Sequence, residues 1–241
     1  TATDADGDDV TFTVSGSELE ITSAGVLTFA TAPDYETKTS YTATVTASDG
    51  TNTVTQDITV NVTDANDPPT FTSNATFSAA ENQTAIGTVT ATDPEGDALS
   101  FTISGSDITI VSSTGLLEFA SAPDYETQTS YSATVTVSDG TNSVTQDITV
   151  NVTNVNDVAP EFTSDATFSA AENQTAIGTV TATDAEGDTV TFTISGTDLE
   201  ISSAGVLTFV TAPDYETDTS FTATVTASDG TNSNTQDITV N

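Results

Sequence analysis

Residues 56–61 read Gln-Asp-Ile-Thr-Val-Asn, and the same six residues return at 146–151 and at 236–241. The stretch alternates polar and β-branched apolar residues, which is the pattern of a strand with one buried face. Its return after every 90 residues identifies an internal repeat. This period is too long for a solenoid unit and is typical of an independent β-sandwich of roughly 100 residues.

Two further segments follow the same repeat. Pro-Asp-Tyr-Glu occurs at 33–36, 123–126 and 213–216, and Ala-Ala-Glu-Asn-Gln-Thr occurs at 79–84 and 170–175. Nothing upstream matches the second segment in the first repeat, so we interpret that copy as incomplete. Without an initiator Met or a signal peptide, we interpret the chain as an internal piece of a longer protein. The predicted domains are residues 1–67, which lack the first strand, residues 68–157, and residues 158–241, which end before a C-terminal linker.

Several other stretches of each repeat predict strands. Residues 131–137 place Tyr, Ala, Val and Val on one face, and residues 86–92 predict another strand. Thr supplies 55 of the 241 residues, which favours strands over helices. We predict an all-β chain of tandem seven-stranded Greek-key (Ig-like) β-sandwiches joined end to end. Tyr41 and Tyr131 are candidates for a tyrosine corner, but Phe221 at the third position favours a packing role.

The composition excludes several classes of function. The chain has 36 acidic residues, one basic residue (Lys38), and no Cys, His, Met or Trp, for a formal charge of −35. Without His or Cys there is no Ser-His-Asp or Cys-His system and no thiolate or imidazole metal site. A polyanion with one Lys cannot neutralise phosphates, which excludes nucleic acid, and no apolar run is long enough to insert into a membrane.

Many of the carboxylates lie at repeated loop positions rather than along the strands. Loops gather at the two ends of a sandwich, so these carboxylates are expected to crowd together where repeats meet. No cation of the chain can compensate them, and flexible oxygen ligands suit Ca²⁺. The alternative is a solvated, salt-adapted surface without an ordered metal. The Asp4-Ala-Asp6-Gly-Asp8 stretch fails the spacing of an EF-hand loop, and carboxylate pairs copied in every repeat do not suggest a glycosidase.

Five short motifs in order resemble those of tandem cadherin repeats, in the form found in bacterial cadherin-like proteins. The segment 80–82 is similar to the acidic first-strand motif, and 91–96 resembles the Asp-x-Asp loop. Residues 123–126 resemble the Leu-Asp-Arg-Glu motif, and 137–140 the Ala-x-Asp-x-Gly loop. Residues 64–71 resemble the Asp-x-Asn-Asp-Asn-x-Pro-x-Phe linker, and the resemblance covers essentially the whole chain.

The resemblance implies Ca²⁺ at the joints between repeats, with two or three ions at each. The ligands implied at the first joint are Asp34, Glu36, Asp64, Asn66, Asp67, Asp93, Glu95 and Asp139. Those implied at the second joint are Glu81, Asp124, Glu126, Asn154, Asn156, Asp157, Asp184, Glu186 and Asp229. The remaining family positions, which would serve joints with repeats outside the chain, are Asp4, Asp6, Asp49, Glu172, Asp214 and Glu216. The first joint is expected to lack the Glu of the first strand.

The leading functional hypothesis is a calcium-rigidified segment of a long extracellular bacterial surface protein or fibre, such as an adhesin stalk or a biofilm-matrix filament. The alternatives are a module for cell–cell or polysaccharide adhesion and a matrix fibre that self-associates through bridging calcium. The expected partners are neighbouring repeats of the same chain, with homotypic association left open. We do not expect an enzyme, because no catalytic constellation is present outside the repeated carboxylates.

Overall fold

The computed structural model describes residues 1–241 and consists of strands joined by loops, without any helix. No element of the chain is therefore a helix with the length and hydropathy of a membrane span. The β-branched composition and the alternating patterns account for this architecture, and the all-β prediction is confirmed.

The N-terminal region forms two small sheets with antiparallel pairing. Their strands are β1 (Thr11–Val14), β2 (Leu19–Ile21), β3 (Leu27–Phe29), β4 (Ser40–Ser48) and β5 (Thr53–Asn61). One sheet has the order β1-β4-β5, and the other pairs β2 with β3.

The central region forms a complete sandwich. Its strands are β6 (Thr70–Phe71), β7 (Thr76–Ala80), β8 (Ala85–Thr88), β9 (Ala91–Thr92), β10 (Ser100–Ile103), β11 (Ile108–Ile110), β12 (Leu116–Phe119), β13 (Ser130–Ser138) and β14 (Ser143–Thr153). A four-stranded sheet has the order β10-β13-β14-β7, a three-stranded sheet has the order β11-β12-β8, and β6 pairs with β9 in a short ribbon. The chain crosses between the two principal sheets four times, from β7 to β8, from β8 to β10, from β10 to β11 and from β12 to β13, as in a Greek-key sandwich.

The C-terminal region repeats this arrangement. Its strands are β15 (Glu161–Phe162), β16 (Thr167–Phe168), β17 (Ala176–Thr179), β18 (Ala182–Thr183), β19 (Thr191–Ile194), β20 (Leu199–Ile201), β21 (Val206–Phe209), β22 (Phe221–Ser228) and β23 (Ser233–Val240). The sheets have the orders β16-β23-β22-β19, β17-β21-β20 and β15-β18. The prediction of tandem seven-stranded sandwiches is confirmed, since the two principal sheets of each complete unit contain four and three strands.

The strand predicted over residues 86–92 is divided in the structure. β8 pairs with β12, whereas β9 pairs with β6. The break falls at Val89, whose backbone N–H donates to the carbonyl of Gly115 (2.9 Å). The chain therefore changes its pairing partner at this point, which a period-2 pattern does not reveal.

The core of the central sandwich lies between the inner faces of its two sheets. Val135, Ile148 and Val150 from one sheet and Leu117 from the other are at most 1% exposed. These side chains alternate along their strands with exposed or half-buried polar residues, as the sequence pattern predicts. The C-terminal sandwich buries the equivalent residues in the same way.

Aromatic residues pack in the same manner in all three repeats. Phe29 with Tyr41, Phe119 with Tyr131 and Phe209 with Phe221 form edge-to-face pairs with ring centroids 5.0 to 5.1 Å apart. Neither Tyr41 nor Tyr131 forms a hydrogen bond through its hydroxyl. Packing, rather than a tyrosine corner, is therefore the common role of this position.

The five N-terminal strands correspond to β10–β14 of the central sandwich, and residues 1–61 contain no counterpart of β7 or β8. Leu19 is the only N-terminal apolar residue that is fully buried. The inner face formed by Phe12, Leu27 and Val45 is only partly covered.

One glycine of each complete sandwich is required by a close backbone contact. Gly115 has a φ of +71°, and a Cβ at this position would overlap the carbonyl oxygen of Val89. Gly205 faces the carbonyl of Val180 in the same way. At the counterpart Gly25, an added Cβ would contact only the ring of Phe12, whose nearest carbon would lie 3.1 Å away.

Candidate functional site

Carboxylates from separate loops converge at the ends of the sandwiches. In each of four groups, ligand oxygens lie within 4.8 Å of one another. Cluster 1 is Glu36, Asp67 and Glu95; cluster 2 is Glu81, Asp124 and Glu126; cluster 3 is Glu126, Asp157 and Glu186; cluster 4 is Glu172, Asp214 and Glu216. Clusters 1 and 3 each combine residues of two successive repeats with an aspartate of the linker between them.

The Pro-Asp-Tyr-Glu loops present their glutamates through a turn held by the aspartate. Asp34 Oδ1 accepts the backbone N–H groups of Glu36 (3.1 Å) and Thr37 (3.3 Å), and the Thr37 hydroxyl donates to Oδ2 (2.8 Å). This hydroxyl is the main cause that lowers the pKa of Asp34 below its ordinary value. Asp124 receives the same pair of bonds from Thr127. The turn holds the aspartate in place and directs the glutamate two residues later into its cluster.

The loops that follow β9 and β18 leave one carboxylate oxygen free. Asp93 Oδ1 accepts the backbone N–H groups of Glu95 (3.1 Å) and Asp97 (3.0 Å), while its buried Oδ2 has no partner. Asp184 likewise has a bonded Oδ1 and a buried, unpartnered Oδ2. Each loop therefore holds its aspartate in place and leaves an acceptor unused.

A third loop type anchors its aspartate even more tightly. Asp229 Oδ1 accepts the backbone N–H groups of Thr231 and Asn232 at 2.6 Å each, and its Oδ2 is buried without a partner. Desolvation raises the pKa of Asp229, but the bonds from Asn232 and Thr231 outweigh it, so the net pKa lies below the ordinary value. Asp139 has the same Oδ1 bonds, and its Oδ2 accepts the side chain of Asn66 (2.9 Å).

Glu81 connects a loop of the central sandwich to the linker that follows it. It is 3% exposed, and its two oxygens accept the backbone N–H groups of Tyr125 and Val155, each at 2.7 Å. Its counterpart Glu172 is exposed and accepts only the N–H of Tyr215, at 3.2 Å. The buried glutamate therefore holds cluster 2 beside the start of the linker.

Glu186 is the least satisfied carboxylate of the site. Both of its oxygens are buried and neither has a hydrogen-bond partner. Desolvation raises its pKa above the ordinary value, and the charges of Glu126, Asp184 and Asp157 raise it further. In the first joint, by contrast, Glu95 accepts the backbone N–H of Asp67 (3.0 Å). Cluster 3 therefore concentrates negative charge around a glutamate that no donor of the protein contacts.

The only Lys or Arg side chain of the protein is engaged elsewhere. Lys38 Nζ bonds both oxygens of Glu18 (2.6 and 2.7 Å) and lies 4.4 Å from the ring centroid of Tyr41. No side-chain cation enters any of the four clusters. Anchored oxygens with free acceptors and uncompensated charge fit a hard cation that takes oxygen ligands, which is the chemistry of Ca²⁺.

Not all of the predicted ligands join a cluster. Asp4 and Asp49 hold turns of their own loops, and Asp6 makes no side-chain bond. Asp64 and Asn154 form no side-chain hydrogen bond. Asn66 and Asn156 face the joints, as the bonds of Asn66 to Asp139 and of Asn156 to Asp188 (2.7 Å) show.

Four residues that bond to the linkers at the joints were not among the predicted ligands, and one of them is Asn142, which donates to the carbonyl of Asn66 (3.1 Å). Asp188 accepts the side chain of Asn156, and the Asn232 side chain donates to Asn156 Oδ1 (2.7 Å). Asn82 donates to Oδ2 of Asp157 (2.6 Å). These residues bond to linker residues that lie 32 to 76 positions away in the sequence. Only the recurrence of Asn and Asp in the loops could have suggested that they belong to the joints.

A family model for a bacterial Ig domain matches residues 66–153. Cadherin EGF LAG seven-pass G-type receptor 1 of mouse is 34% identical over 177 residues, which covers 66% of this chain and 6% of that protein. Chitinase A of Pseudoalteromonas piscicida is 36% identical over 156 residues, which covers 63% of this chain and 19% of that protein. The chain thus spans less than a fifth of either curated relative.

The fold is also similar to that of solved ectodomains. The crystal structure of the EC22-24 fragment of mouse cadherin-23 superposes with a TM-score of 0.68 at 23% identity, covering 100% of this chain and 89% of that one. At this identity the likeness concerns the fold, including the succession of sandwiches along the chain.

Proposed function

Since the chain consists of tandem cadherin-like repeats, we propose that it is a calcium-stiffened segment of a long extracellular protein. Ca²⁺ would bind at the joints, and the bound ions would hold neighbouring repeats in line. In this proposal the segment serves as a spacer, as in an adhesin stalk or a matrix fibre, and carries no enzymatic activity. Its first partners are the adjacent repeats of the same chain.

The observation that carries the proposal is cluster 3. Glu126 belongs to the central sandwich, Asp157 to the linker and Glu186 to the C-terminal sandwich, yet their oxygens lie within 4.8 Å of one another. A cation held by all three would connect two repeats through the linker. Without one, like charges at this distance repel and favour separation of the repeats.

The remaining residues of the second joint support this arrangement. Glu126 belongs to cluster 2 as well as cluster 3, so two adjacent ions could share its carboxylate. The anchored aspartates Asp184 and Asp229 each hold out a buried, unpartnered oxygen. An oxygen-only set of this kind suits the six to eight ligands that Ca²⁺ takes.

The expected affinity connects the proposal to a location outside the cell. Extracellular calcium modules have dissociation constants on the order of 10⁻⁴ to 10⁻³ M. Calcium in extracellular fluids reaches this range, whereas cytosolic sensors must bind far more tightly. In this proposal a joint of this affinity is occupied by Ca²⁺, and therefore stiff, outside the cell.

One comparison supports a second candidate function. A segment of the protein named chitinase A is 36% identical to this chain. This similarity favours a role as an accessory module of a protein that acts on a polysaccharide. The structure offers one strongly exposed aromatic ring for sugar stacking, Tyr215, which is 62% exposed. Pull-down of the chain on insoluble chitin, with Tyr215→Ala as the comparison, separates a binding module from a spacer.

Small-angle X-ray scattering tests the primary proposal. The maximum dimension of the chain is expected to increase when EGTA is replaced by millimolar Ca²⁺ at constant ionic strength. The range of conformations that the scattering profile reports should become narrower. Mg²⁺ at the same concentration is the control, because its stricter octahedral geometry suits these flexible oxygens less well. A profile that does not respond to Ca²⁺ would overturn the proposal.

Replacing Glu186 with Gln is expected to have opposite effects in the absence and presence of calcium. Because its pKa is raised, ionised Glu186 destabilises the metal-free folded state. Protonated Glu186, by contrast, favours the folded state. This contribution to stability is fully present below the ordinary glutamate pKa and is lost as the pH rises through the elevated pKa of the folded state. In EGTA at pH 7 the Glu186→Gln protein should therefore melt at a higher temperature than wild type, and the difference should shrink towards pH 4.

In millimolar Ca²⁺ the same variant is expected to melt at a lower temperature than wild type, because one ligand charge is lost. Thermal unfolding followed by circular dichroism measures both effects. Asp198→Asn provides the charge-matched control, since Asp198 is exposed and lies outside all four clusters. An equal shift of the same sign in both conditions would show that Glu186 is only a surface charge.

A further inference from the structure

Asn82 combines an unusual backbone conformation with a contact to the linker. Its φ is +62°, in the left-handed region, and its equivalent in the next repeat, Asn173, has a φ of +61°. The other 13 residues with positive φ are all glycines. Glycine adopts this conformation at no steric cost, whereas Asn is tolerated there with some strain. Asn82 therefore occupies a position that glycine would fill with less strain, and its side chain makes a contact that glycine could not make.

The contacts of Asn82 belong to the second joint. Its backbone N–H donates to the carbonyl of Pro123 (3.0 Å), which attaches it to the loop of cluster 2. Its side-chain amide donates to Oδ2 of Asp157 (2.6 Å), a residue 75 positions further along the chain. The left-handed turn after β7 thus points a neutral donor at the linker carboxylate of cluster 3.

We propose that Asn82 is a positioning residue for calcium: it orients the Asp157 carboxylate towards Glu126 and Glu186. The inference rests on the proposed calcium function of the joint. The linker between the sandwiches has no strand partner at Asp157, so without this bond the carboxylate is free to rotate into solvent. Hydrogen bonds to metal-binding carboxylates fix the ligand geometry, and their loss typically weakens metal binding by about 10- to 100-fold.

The chemistry of the donor fits this role. An amide N–H supplies a hydrogen bond without positive charge, so it does not compete electrostatically with the bound cation. It also leaves the remaining lone pairs of the carboxylate free. Glu81, the preceding residue, holds the linker at Val155 (2.7 Å), so two consecutive side chains secure the same segment.

Asn173 provides a matched control within the chain. Its backbone N–H donates to the carbonyl of Pro213 at 3.0 Å, as Asn82 does to Pro123, but its side chain forms no hydrogen bond. Asn82→Gly and Asn173→Gly therefore make the same backbone change at a position that suits glycine. Only the first removes a bond to a carboxylate.

The experiment is a Ca²⁺ titration of the full chain followed by two-dimensional ¹⁵N NMR. The amides of Asp157 and Glu186 report the second joint, and those of Asp67 and Glu95 report the first. Asn82→Gly is expected to raise the half-saturating Ca²⁺ concentration at the second joint by about tenfold. The first joint should be unchanged, and Asn173→Gly should match wild type at both joints.

A double-mutant cycle distinguishes positioning from a general structural effect. In an Asp157→Ala background, Asn82→Gly should add no further change at Glu186, because its effect acts through Asp157. If Asn82→Gly titrates like wild type at Asp157, or adds its full effect in the Asp157→Ala background, the positioning role is wrong while calcium binding stands. If the wild-type amides of the second joint do not respond to millimolar Ca²⁺, the proposed function itself fails.

Discussion

Replacing Glu126 with Gln is expected to remove calcium-dependent stiffening at the second joint. Glu126 is the one residue shared by two clusters, so the substitution takes a charge from both. Loss of a residue that only hydrogen-bonds a metal ligand weakens metal binding by about 10- to 100-fold, and loss of a shared direct ligand should reach at least the upper end of that range. Isothermal titration calorimetry of the full chain measures the affinity, and small-angle scattering measures the elongation.

Glu36→Gln is the matched variant for this prediction. Glu36 occupies the same position of its own loop but belongs to cluster 1 alone. Its substitution should weaken binding at the first joint and leave the second joint intact, so that part of the calcium-induced elongation survives. Equal losses from the two variants would show that the sharing of Glu126 between clusters has no energetic consequence.

Replacing Gly115 with Ala is expected to destabilise the central sandwich strongly. The alanine would have to adopt a left-handed conformation with a φ of +71°. Its Cβ would also overlap the carbonyl oxygen of Val89. Left-handed strain costs about 1–3 kcal/mol and overpacking about as much again, so we expect a total of about 2–6 kcal/mol. The overlap also displaces the backbone bond from Val89 to Gly115 (2.9 Å).

Gly25→Ala is the control for the backbone clash. Gly25 has a similar φ of +83°, but its nearest neighbour is the ring of Phe12, a side chain on a partly covered face. Its substitution should cost only about 1 kcal/mol. Because tandem repeats can unfold separately, hydrogen exchange at amides of each sandwich is the appropriate measurement. A Gly115→Ala protein as stable as the Gly25→Ala protein would contradict the close contact.

Much of the fold follows from alternation and repetition in the sequence. The inward positions of Val135 and Val137 and the antiparallel hairpins around the Asp-Gly turns are local properties, and the structure confirms them. The division of residues 86–92 between β8 and β9 was not predictable in this way. It arises because Val89 still bonds to Gly115, next to β12, whereas the carbonyl of Thr90 already accepts the N–H of Thr72, next to β6. A periodic pattern carries no information about the partner of a strand.

The candidate site was predictable in composition but only partly in geometry. The repeated carboxylates of clusters 2 and 3 were all among the expected ligands, and loop placement brings them together. Asp64 and Asn154 stand at motif positions yet join no cluster, and the roles given to individual ligands stay predictions. Asn82 was not predicted as a residue of the site, because its contact to Asp157 depends on a left-handed backbone conformation that the sequence pattern does not indicate.

The parallel pairing of β7 with β14 determines how a repeat bears tension. β7 lies near the start of the central sandwich, after the short β6, and the chain leaves the sandwich through β14. Thr76–Ala80 lie beside Thr149–Thr153 in register. β16 and β23 pair in the same direction in the C-terminal sandwich. A pull on the two ends of the array therefore makes these strands slide past each other, so that their hydrogen bonds are loaded together rather than opened one by one. Every complete repeat thus contains a pair of terminal strands whose geometry resists a pull along the array by shear.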